Sequence, residues 1–451
     1  MDAPDTPDGQ QSIRSSPLSR SAALATTGAV VGINYLKYYG RRAMGGTDGT
    51  SVLHEENAKA VYRTFSELKG GPLKLAQMLS IDKNLLPEAY AREFSQAQYS
   101  APPLSYPLVV RTFRREFGKD PLDIFDTFSR EAKHGASIGQ VHQATRGNQQ
   151  FAVKVQYPGV ADSLKNDLRI VKPLALRILG LKERDVASYF TEVETRLMEE
   201  TDYHRELESS IHLSNASRHL QNLRFPVYHP ELSSSKILTM EWIDGVPLDR
   251  FADGDADQPL RDKIGQALWD FYHHQIHVLK VFHADPHPGN FLVSDGALCV
   301  LDFGCTKVLE EKFYDLQFQF LDPVLIDDRD RLLAALESLN VIRTDDDSDF
   351  REEIVTLCRD SLRLVARPFR SGTFDFGDPD FMQAIYGLGM ESQKNEIIRN
   401  PRGSRGSPHT IYVNRTYFGL YSLLARLRAN VRTHLVPPLG QTESSIASPL
   451  K

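Results

Sequence analysis

Only three cysteines occur in 451 residues, Cys299, Cys305 and Cys358, and their spacing fits neither a disulfide framework nor a paired-thiolate metal site. A reducing compartment follows as the expectation. No run of about 18 or more apolar residues exists, which argues against a membrane-spanning helix. The strongest apolar stretch, residues 22–33, is short and rich in Gly and Thr. It lacks a cleavage site after a charged start, so it does not read as a signal peptide. A basic excess is missing too: the formal net charge is −6, which argues against a nucleic-acid partner. No internal repeat is evident.

Hydrophobic residues make up 41% of the chain, enough for a large core, and the length suits two lobes with extensions. Residues 1–20, rich in Pro, Asp, Ser and Gln, read as disordered. Residues 21–45 read as a small-residue helix. Its end, Tyr35-Leu36-Lys37-Tyr38-Tyr39 with Arg41 and Arg42, is basic and amphipathic; packing on the domain and contact with a membrane surface both fit it. Residues 54–80 are strongly helical, Pro102-Pro103 closes a second helical stretch, and another begins at Pro107. From 125 to 156 the pattern turns to strands, two of them joined at Gly147-Asn148. Residues 162–181 and 187–207 read as helices, 236–242 as a strand, and 260–279 as a long helix. Helix is expected from 302 to about 339 and again to about 431, with the acidic stretch 345–353 as a solvated loop or helix start.

The densest chemistry lies at His283-Ala284-Asp285-Pro286-His287-Pro288-Gly289-Asn290, followed by Leu301-Asp302-Phe303-Gly304. An Asp, an Asn five residues on, then Asp-Phe-Gly is the layout of a kinase catalytic centre. Asp285 would orient or deprotonate the attacking hydroxyl, and Asn290 and Asp302 would hold a metal on ATP phosphates. The stretches 291–293 and 297–301, joined across Ser294-Asp295-Gly296, read as a hairpin that sets Asn290 beside Asp302.

Upstream, Lys154 stands in Ala152-Val153-Lys154, thirteen residues after Val141, the distance a loop–strand–turn–strand hairpin requires. The loop reads Gly135-Ala136-Ser137-Ile138-Gly139-Gln140-Val141, with Gly135 and Gly139 open to close backbone approach and Ala and Ser where flexible glycine is usual. Alone, it fits a plain β-turn equally well; its spacing to Lys154 favours a stiff, partly blocked phosphate loop. A lysine in an apolar strand needs a counter-charge. Glu200, Asp202 and Glu206 are near candidates, and on a regular helix Glu199 and Glu206 share a face. A solvated acidic helix face is the alternative.

Together these motifs resemble the UbiB family of atypical kinase-like proteins, which includes proteins supporting ubiquinone biosynthesis. The resemblance covers roughly residues 20–435. Beside the 283–290 run it rests on Lys74-Leu75-Ala76-Gln77-Met78-Leu79-Ser80, Ala136-Ser137-Ile138-Gly139-Gln140-Val141-His142 and Val153-Lys154-Val155-Gln156-Tyr157-Pro158-Gly159-Val160. Glu200-Thr201-Asp202-Tyr203 with Glu206, and Met240-Glu241-Trp242-Ile243-Asp244-Gly245, complete it. It implies an α+β, two-lobed protein-kinase-like fold with an N-terminal helical extension and a helix-rich C-lobe. The segments are a disordered 1–20, an extension at 21–120, an N-lobe with inserted helices at 121–245, a C-lobe at 246–435 and a flexible tail at 436–451.

The resemblance also implies ATP and Mg²⁺ as cofactors. Lys154 would pair with Glu206. Lys74 and Gln77, from the extension's Lys-x-Gly-Gln signature, would reach into the pocket, Lys74 toward Glu200 or Asp202. The alanine-rich loop would fall at 134–137, so that Ala136, Ser137, Ile138 and Gly139 border the nucleotide, and the stretch from Glu241 to Ile243 would receive adenine through backbone groups. Two positions depart from the family pattern: Ala76 replaces the signature glycine, and His134-Gly135-Ala136 stands where alanines usually run.

The implied role is an ATPase or atypical kinase in ubiquinone or other isoprenoid-lipid metabolism, cytoplasmic and peripheral to a membrane, with an isoprenoid or quinone-like lipid as partner. No protein partner is named by any motif. No Ala-Pro-Glu follows Asp302-Phe303-Gly304, so phosphorylation of other proteins is disfavoured. One rival is a small-molecule kinase, against which the 74–80 extension argues. Another is a non-catalytic lipid-binding scaffold of kinase fold, which would not need Asp285 and Asp302.

Plainer roles suit other residues. His273 and His277 have the spacing of a zinc pair, but no Cys or carboxylate follows at the usual distance. His283 and His287 read as hydrogen-bonding supports of the catalytic loop, and Met240 and Trp242 as core or adenine wall. Residues 394–432 carry eight Lys or Arg against one acid; a solvated face is the default and attraction to anionic lipid the alternative. Residues 417–431, with Leu420, Leu423, Leu424 and Leu427, have the spacing of a packed helix.

Overall fold

The computed structural model describes residues 17–43, 50–68, 88–95, 105–136, 138–179, 191, 194–195, 197–394 and 405–433. They divide into two units. One holds the residues up to Ile211 with Pro226–Ile243 and 389–394; the other holds His212–Phe225, Asp244–Leu388 and the residues from Arg405 on.

The first unit opens with α1 (Pro17–Ala43), which begins before residue 21, inside the stretch expected to be disordered. Proline suits a helix's first turn because its missing N–H would be unpaired there anyway. α1 packs on α2 (Thr50–Leu68): the Thr27 and Thr64 hydroxyls meet at 2.6 Å and Asn34 Nδ2 donates to Asn57 Oδ1 at 2.8 Å. α3 (Glu88–Ser95) is tied to α2 by Arg92 and Glu55 at 3.1 Å.

The strands β1 (Thr127–Phe128), β2 (His134–Gly135), β3 (Gly139–Arg146), β4 (Gln149–Gln156) and β5 (Ile237–Glu241) form an antiparallel sheet in the order β1-β3-β4-β5, with β2 also beside β3. Gly147, at φ +60°, makes the β3–β4 turn. One face carries α4 (Tyr106–Phe117), whose buried Val109 and Phe113 pack among Phe125, Phe128, Phe151, Val153 and Val155. Each fully buried ring contributes about 1.5–3 kcal/mol, so burial holds α4 to the sheet. Strand alternation turns Ala152 and Lys154 to the opposite face, where Ile138, Leu238 and Met240 meet Tyr157, Tyr203 and Leu207.

α5 (Val160–Leu179) follows. The stretch read as one helix over 187–207 is interrupted: the chain turns at Glu200 and Thr201, and α6 (Tyr203–Ser217) starts afresh. Thr201 Oγ1 donates to Met198 O at 2.7 Å, and Tyr203 N is drawn to Ser235 O at 3.0 Å. Asp202 Oδ1 accepts from His204 N at 3.0 Å, capping the new helix.

In the second unit α7 (Gln258–His273) is largely buried, with Asp257 accepting from Leu260 N at its start. The helix expected to run to 279 stops at His273; His274–Leu279 wind as a wider π turn, closed by Lys280 at φ +54°. β6 (Phe291–Ser294) and β7 (Ala297–Val300) form the expected hairpin. Its turn places Asp295 at φ +50° and Gly296 at φ +69°, the left-handed pair that Asp-Gly accommodates.

Two strand pairs interrupt regions read as helix. Thr306–Val308 pairs antiparallel with Val281–His283, and Thr373–Asp375 with Asn430–Arg432. Each strand is three residues long and its partner is remote in sequence, so no local periodicity marks it. α8 (Ser348–Val365) is capped by Asp347, while Asp346 takes both Nη1 and Nη2 of Arg405 at 2.7 and 2.5 Å. Those side chains are 3% and 11% exposed, so the acidic stretch is not simply solvated. α9 (Pro408–Leu427) ends at Arg428, φ +52°, short of the expected 431. Among the described residues no helix is long and apolar enough to cross a membrane.

Candidate functional site

In the first unit Lys154 Nζ lies 2.6 Å from Glu206 Oε1, with the two side chains only 8% and 6% exposed. The ammonium also sits 5.1 Å from the centre of the Tyr203 ring. β4 supplies the lysine, and the break before Tyr203 sets Glu206 in the first turn of α6, where a carboxylate also gains from the helix dipole. Glu199 pairs instead with Arg205 at 3.3 Å. The shared face expected of Glu199 and Glu206 requires an unbroken helix, which the turn at Glu200–Thr201 removes. Glu200 lies in that turn and Asp202 follows it. Lys74, Ala76 and Gln77 lie outside the described residues, as does Ser137.

The loop before β3 differs from a phosphate cradle in how it spends its backbone. Ala136 N donates to Gly139 O at 2.9 Å and Gly139 N to Ala136 O at 3.4 Å, closing a tight turn on itself. Ile138 is 2% exposed, its side chain in the core and its carbonyl accepting from Tyr157 N at 2.9 Å. A Cβ on Gly139 would stand 2.5 Å from Val155 O and 2.8 Å from Tyr203 Oη, whereas one on Gly135 would meet nothing within 4 Å. Gly139 is thus required for packing against β4 and α6, and the close approach expected there is to protein. Ile138 is a core residue for the same reason.

At the end of β5, Glu241 N donates to Val227 O at 2.8 Å and Trp242 N to Gln150 O at 2.9 Å. Glu241 Oε2 accepts from Val227 N at 3.1 Å. These amides serve the sheet; in the expected hinge stretch Ile243 is the next one along, and its side chain is buried.

In the second unit Asp285, Asn290 and Asp302 are set by backbone. Asn290 Nδ2 donates to Asp285 O at 3.0 Å, which leaves its amide oxygen as an acceptor. Leu301 N donates to Asn290 O at 2.9 Å, so the β6–β7 hairpin brings the two ends level, and Asp302 Oδ1 accepts from Gly304 N at 2.7 Å. His287 N donates to Asp285 O at 2.7 Å, and His287 Nδ1 accepts from Gly289 N at 3.1 Å. His283 is fully buried; its N–H donates at 2.9 Å to the side chain of Gln275, which comes from the π turn.

Sequence reasoning missed Arg415 and Gly419. Arg415 Nη2 donates to Asp285 Oδ1 at 2.7 Å, with side chains 16% and 23% exposed. One turn further along α9, a Cβ on Gly419 would collide with Pro286 Cγ. A glycine inside an apolar helix is the signal that could have marked this close approach. The same contacts alter the reading of the basic C-terminal stretch. Of its five described arginines, Arg405 pairs with Asp346, Arg415 with Asp285 and Arg426 with Asp253, while Arg428 and Arg432 are exposed, so only part of the stretch presents cationic charge to solvent.

Nearby histidines have packing roles. His277 Nδ1 contacts the Tyr314 hydroxyl at 2.9 Å and Nε2 that of Tyr417 at 3.1 Å, which occupies both ring nitrogens. His273 Nδ1 donates to Trp269 O at 2.8 Å, and its Nε2 is buried without a hydrogen-bond partner. Burial pushes the His273 pKa down to about 3 and holds His277 well below the usual histidine value. Burial first, and then the charge of Asp285, raises the Tyr272 phenol well above its ordinary value.

A model of the ABC1 atypical kinase-like domain matches residues 96–336, more than half of the chain. The chain belongs to that family, which its motifs resemble under the name UbiB, and it has the α+β kinase-like fold. It is 28% identical over 432 residues to atypical kinase COQ8B, mitochondrial, of Rattus norvegicus, covering 93% of this chain and 80% of the relative. It is 25% identical over 407 residues to probable serine/threonine-protein kinase abkA of Dictyostelium discoideum, covering 86% and 71%. Among solved structures, the Rv3197–erythromycin complex from Mycobacterium tuberculosis shares the fold. Its TM-score is 0.58 at 24% identity, over 87% of this chain and 99% of that one.

Proposed function

We propose that the protein is an ATPase or atypical kinase that binds Mg–ATP. The observation that carries this reading is the dry ion pair of Lys154 and Glu206 at 2.6 Å. Taking both charges out of water costs several kcal/mol, so pairing alone is a poor reason to bury them. A lysine held rigid to meet phosphates is a good one.

In this reading Lys154 grips the phosphates and Glu206 aims it. The turn from Ala136 through Ser137 to Gly139 borders the nucleotide with the amides of Ala136 and Gly139 already spent within the turn, and adenine is received from Glu241 to Ile243, with Ile243 supplying the donor. Asn290 and Asp302 hold Mg²⁺. The donor set fits: the amide oxygen left by Asn290 and the carboxylate of Asp302 are the hard oxygens that Mg²⁺ takes one or two of, keeping the rest for water and phosphate. The bound metal supplies charge neutralisation on the phosphates. Asp285 orients or deprotonates the acceptor hydroxyl or water. Lys74 and Gln77 close off the site, which disfavours protein substrates.

The cellular role is support of ubiquinone or other isoprenoid-lipid metabolism at a membrane surface. The relative named atypical kinase COQ8B, mitochondrial, lends support to this. So does the outward side of α1, where Val30 and Ile33 are 40% and 50% exposed and Lys37 is exposed one turn on. Thermal stabilisation by Mg–ATP, and its strong loss in Asp302→Asn, test the nucleotide reading. Equal stabilisation of both proteins would sink it. ATP turnover with and without anionic vesicles tests the membrane role.

A further inference from the structure

The rings of His134 and Trp242 stack, with centroids 6.0 Å apart and 25° between their planes. Sheet order does not make them neighbours. His134 is the cross-strand partner of Val141, Val141 of Lys154, and Lys154 of Leu238. β3 and β4 therefore lie between β2 and β5, and three strand spacings amount to about 14 Å. Trp242 directly follows β5, its N–H fixed on Gln150 O at 2.9 Å. For the rings to meet, the side chains must reach toward each other across a face of the sheet.

The register says which face. Directly opposed residues of antiparallel strands project to the same side, so His134 shares a side with Val141 and Lys154. Ala152 and Met240 are opposed partners on that same side, two residues along from Lys154 and Leu238. Trp242 and Val141 both pack against the cluster that contains Ala152 and Met240. On the kinase reading proposed above, on which this inference rests, that is the surface an adenine lies against. His134 is exposed and belongs to a strand of only two residues.

We infer that His134 and Trp242 form an aromatic strap over the adenine face, which a nucleotide must part before it seats. The strap lowers apparent affinity by the fraction of molecules in which it is open. It also gives this chain's His134 a role in nucleotide access, at one of its departures from the family's alanine run.

Mg–ATP titration of the full chain, read by tryptophan emission and by thermal shift, tests this. The only other tryptophan, Trp269, is fully buried and stacked on His273 at 3.8 Å, so a change in emission reports on Trp242. Wild-type emission is expected to change as nucleotide binds. His134→Ala is expected to tighten apparent affinity about threefold to tenfold, the range a lost ring pair corresponds to. His134→Phe keeps a ring and should keep the wild-type affinity. Unchanged or weaker binding by His134→Ala, with wild type still binding, overturns the strap alone. Wild-type protein that shows no saturable binding, and no difference from Lys154→Met, overturns the kinase reading and the strap together.

Discussion

Arg415 Nη2 lies 2.7 Å from Asp285 Oδ1, although 130 positions separate the two residues. Asp285 is thus oriented from α9, which also accommodates Pro286 at Gly419. Arg415→Met releases the carboxylate without touching Asn290 or Asp302. ATP turnover should fall about tenfold or more, the scale on which small misplacements act, while stabilisation by Mg–ATP persists. Gly419→Ala should lower turnover through the same loop. A rise in turnover in Arg415→Met would show the pair to be a brake instead.

The Lys154–Glu206 pair should behave as a coupled unit. Glu206→Gln removes the carboxylate 2.6 Å from a buried ammonium, and removing one partner of such a pair costs about 3–5 kcal/mol. Lys154→Met should abolish nucleotide affinity with the protein still folded. The double variant Lys154→Met, Glu206→Gln should be more stable than the sum of the singles predicts, by more than about 0.5 kcal/mol. Chemical denaturation of the four proteins checks this; additivity would contradict it.

The two loop glycines should respond in opposite ways. Gly139→Ala forces a methyl group against Val155 O and Tyr203 Oη, with an expected loss of about 1–3 kcal/mol. Gly135→Ala meets open space at an ordinary backbone angle and should leave the melting temperature unchanged. Paired thermal melts read the difference directly.

Acid should destabilise the second unit through its buried histidines. The folded-state pKa of His273 is depressed to about 3 and that of His277 is also depressed, both by burial. The unfolded chain therefore binds protons first, below about pH 6.5. Stability is full above that pH and falls as pH drops toward 3, by up to about 1.4 kcal/mol per pH unit for each histidine. Urea midpoints should be lower at pH 5.5 than at pH 7.5. His273→Phe should flatten the dependence, and an unchanged slope would remove His273 from the account.

What could be read from the chain alone was the chemistry carried by short contiguous stretches. Asp295-Gly296 announces its hairpin because the two-residue turn needs left-handed angles that these residues tolerate. Gly147 marks the β3–β4 turn in the same way, and alternation along β4 sets Lys154 on the face away from α4. Spacing within the 283–304 region likewise placed Asn290 and Asp302 at the two ends of one hairpin.

Tertiary structure decided everything that depends on a partner far along the chain. The helix breaks at Glu200–Thr201 because Ser235 draws off the backbone N–H of Tyr203, a contact that no helical period foretells. Three-residue strands exist only because Val281–His283 and Asn430–Arg432 lie beside them. Gly139 proves to be spent on packing, and Arg405 on the buried Asp346, because neighbours brought in by folding set the space and charge around each residue. Asp285 shows the division most plainly. Its position in an Asp-x-x-x-x-Asn run is local, but its orientation is fixed by an arginine that only the packing of α9 can deliver.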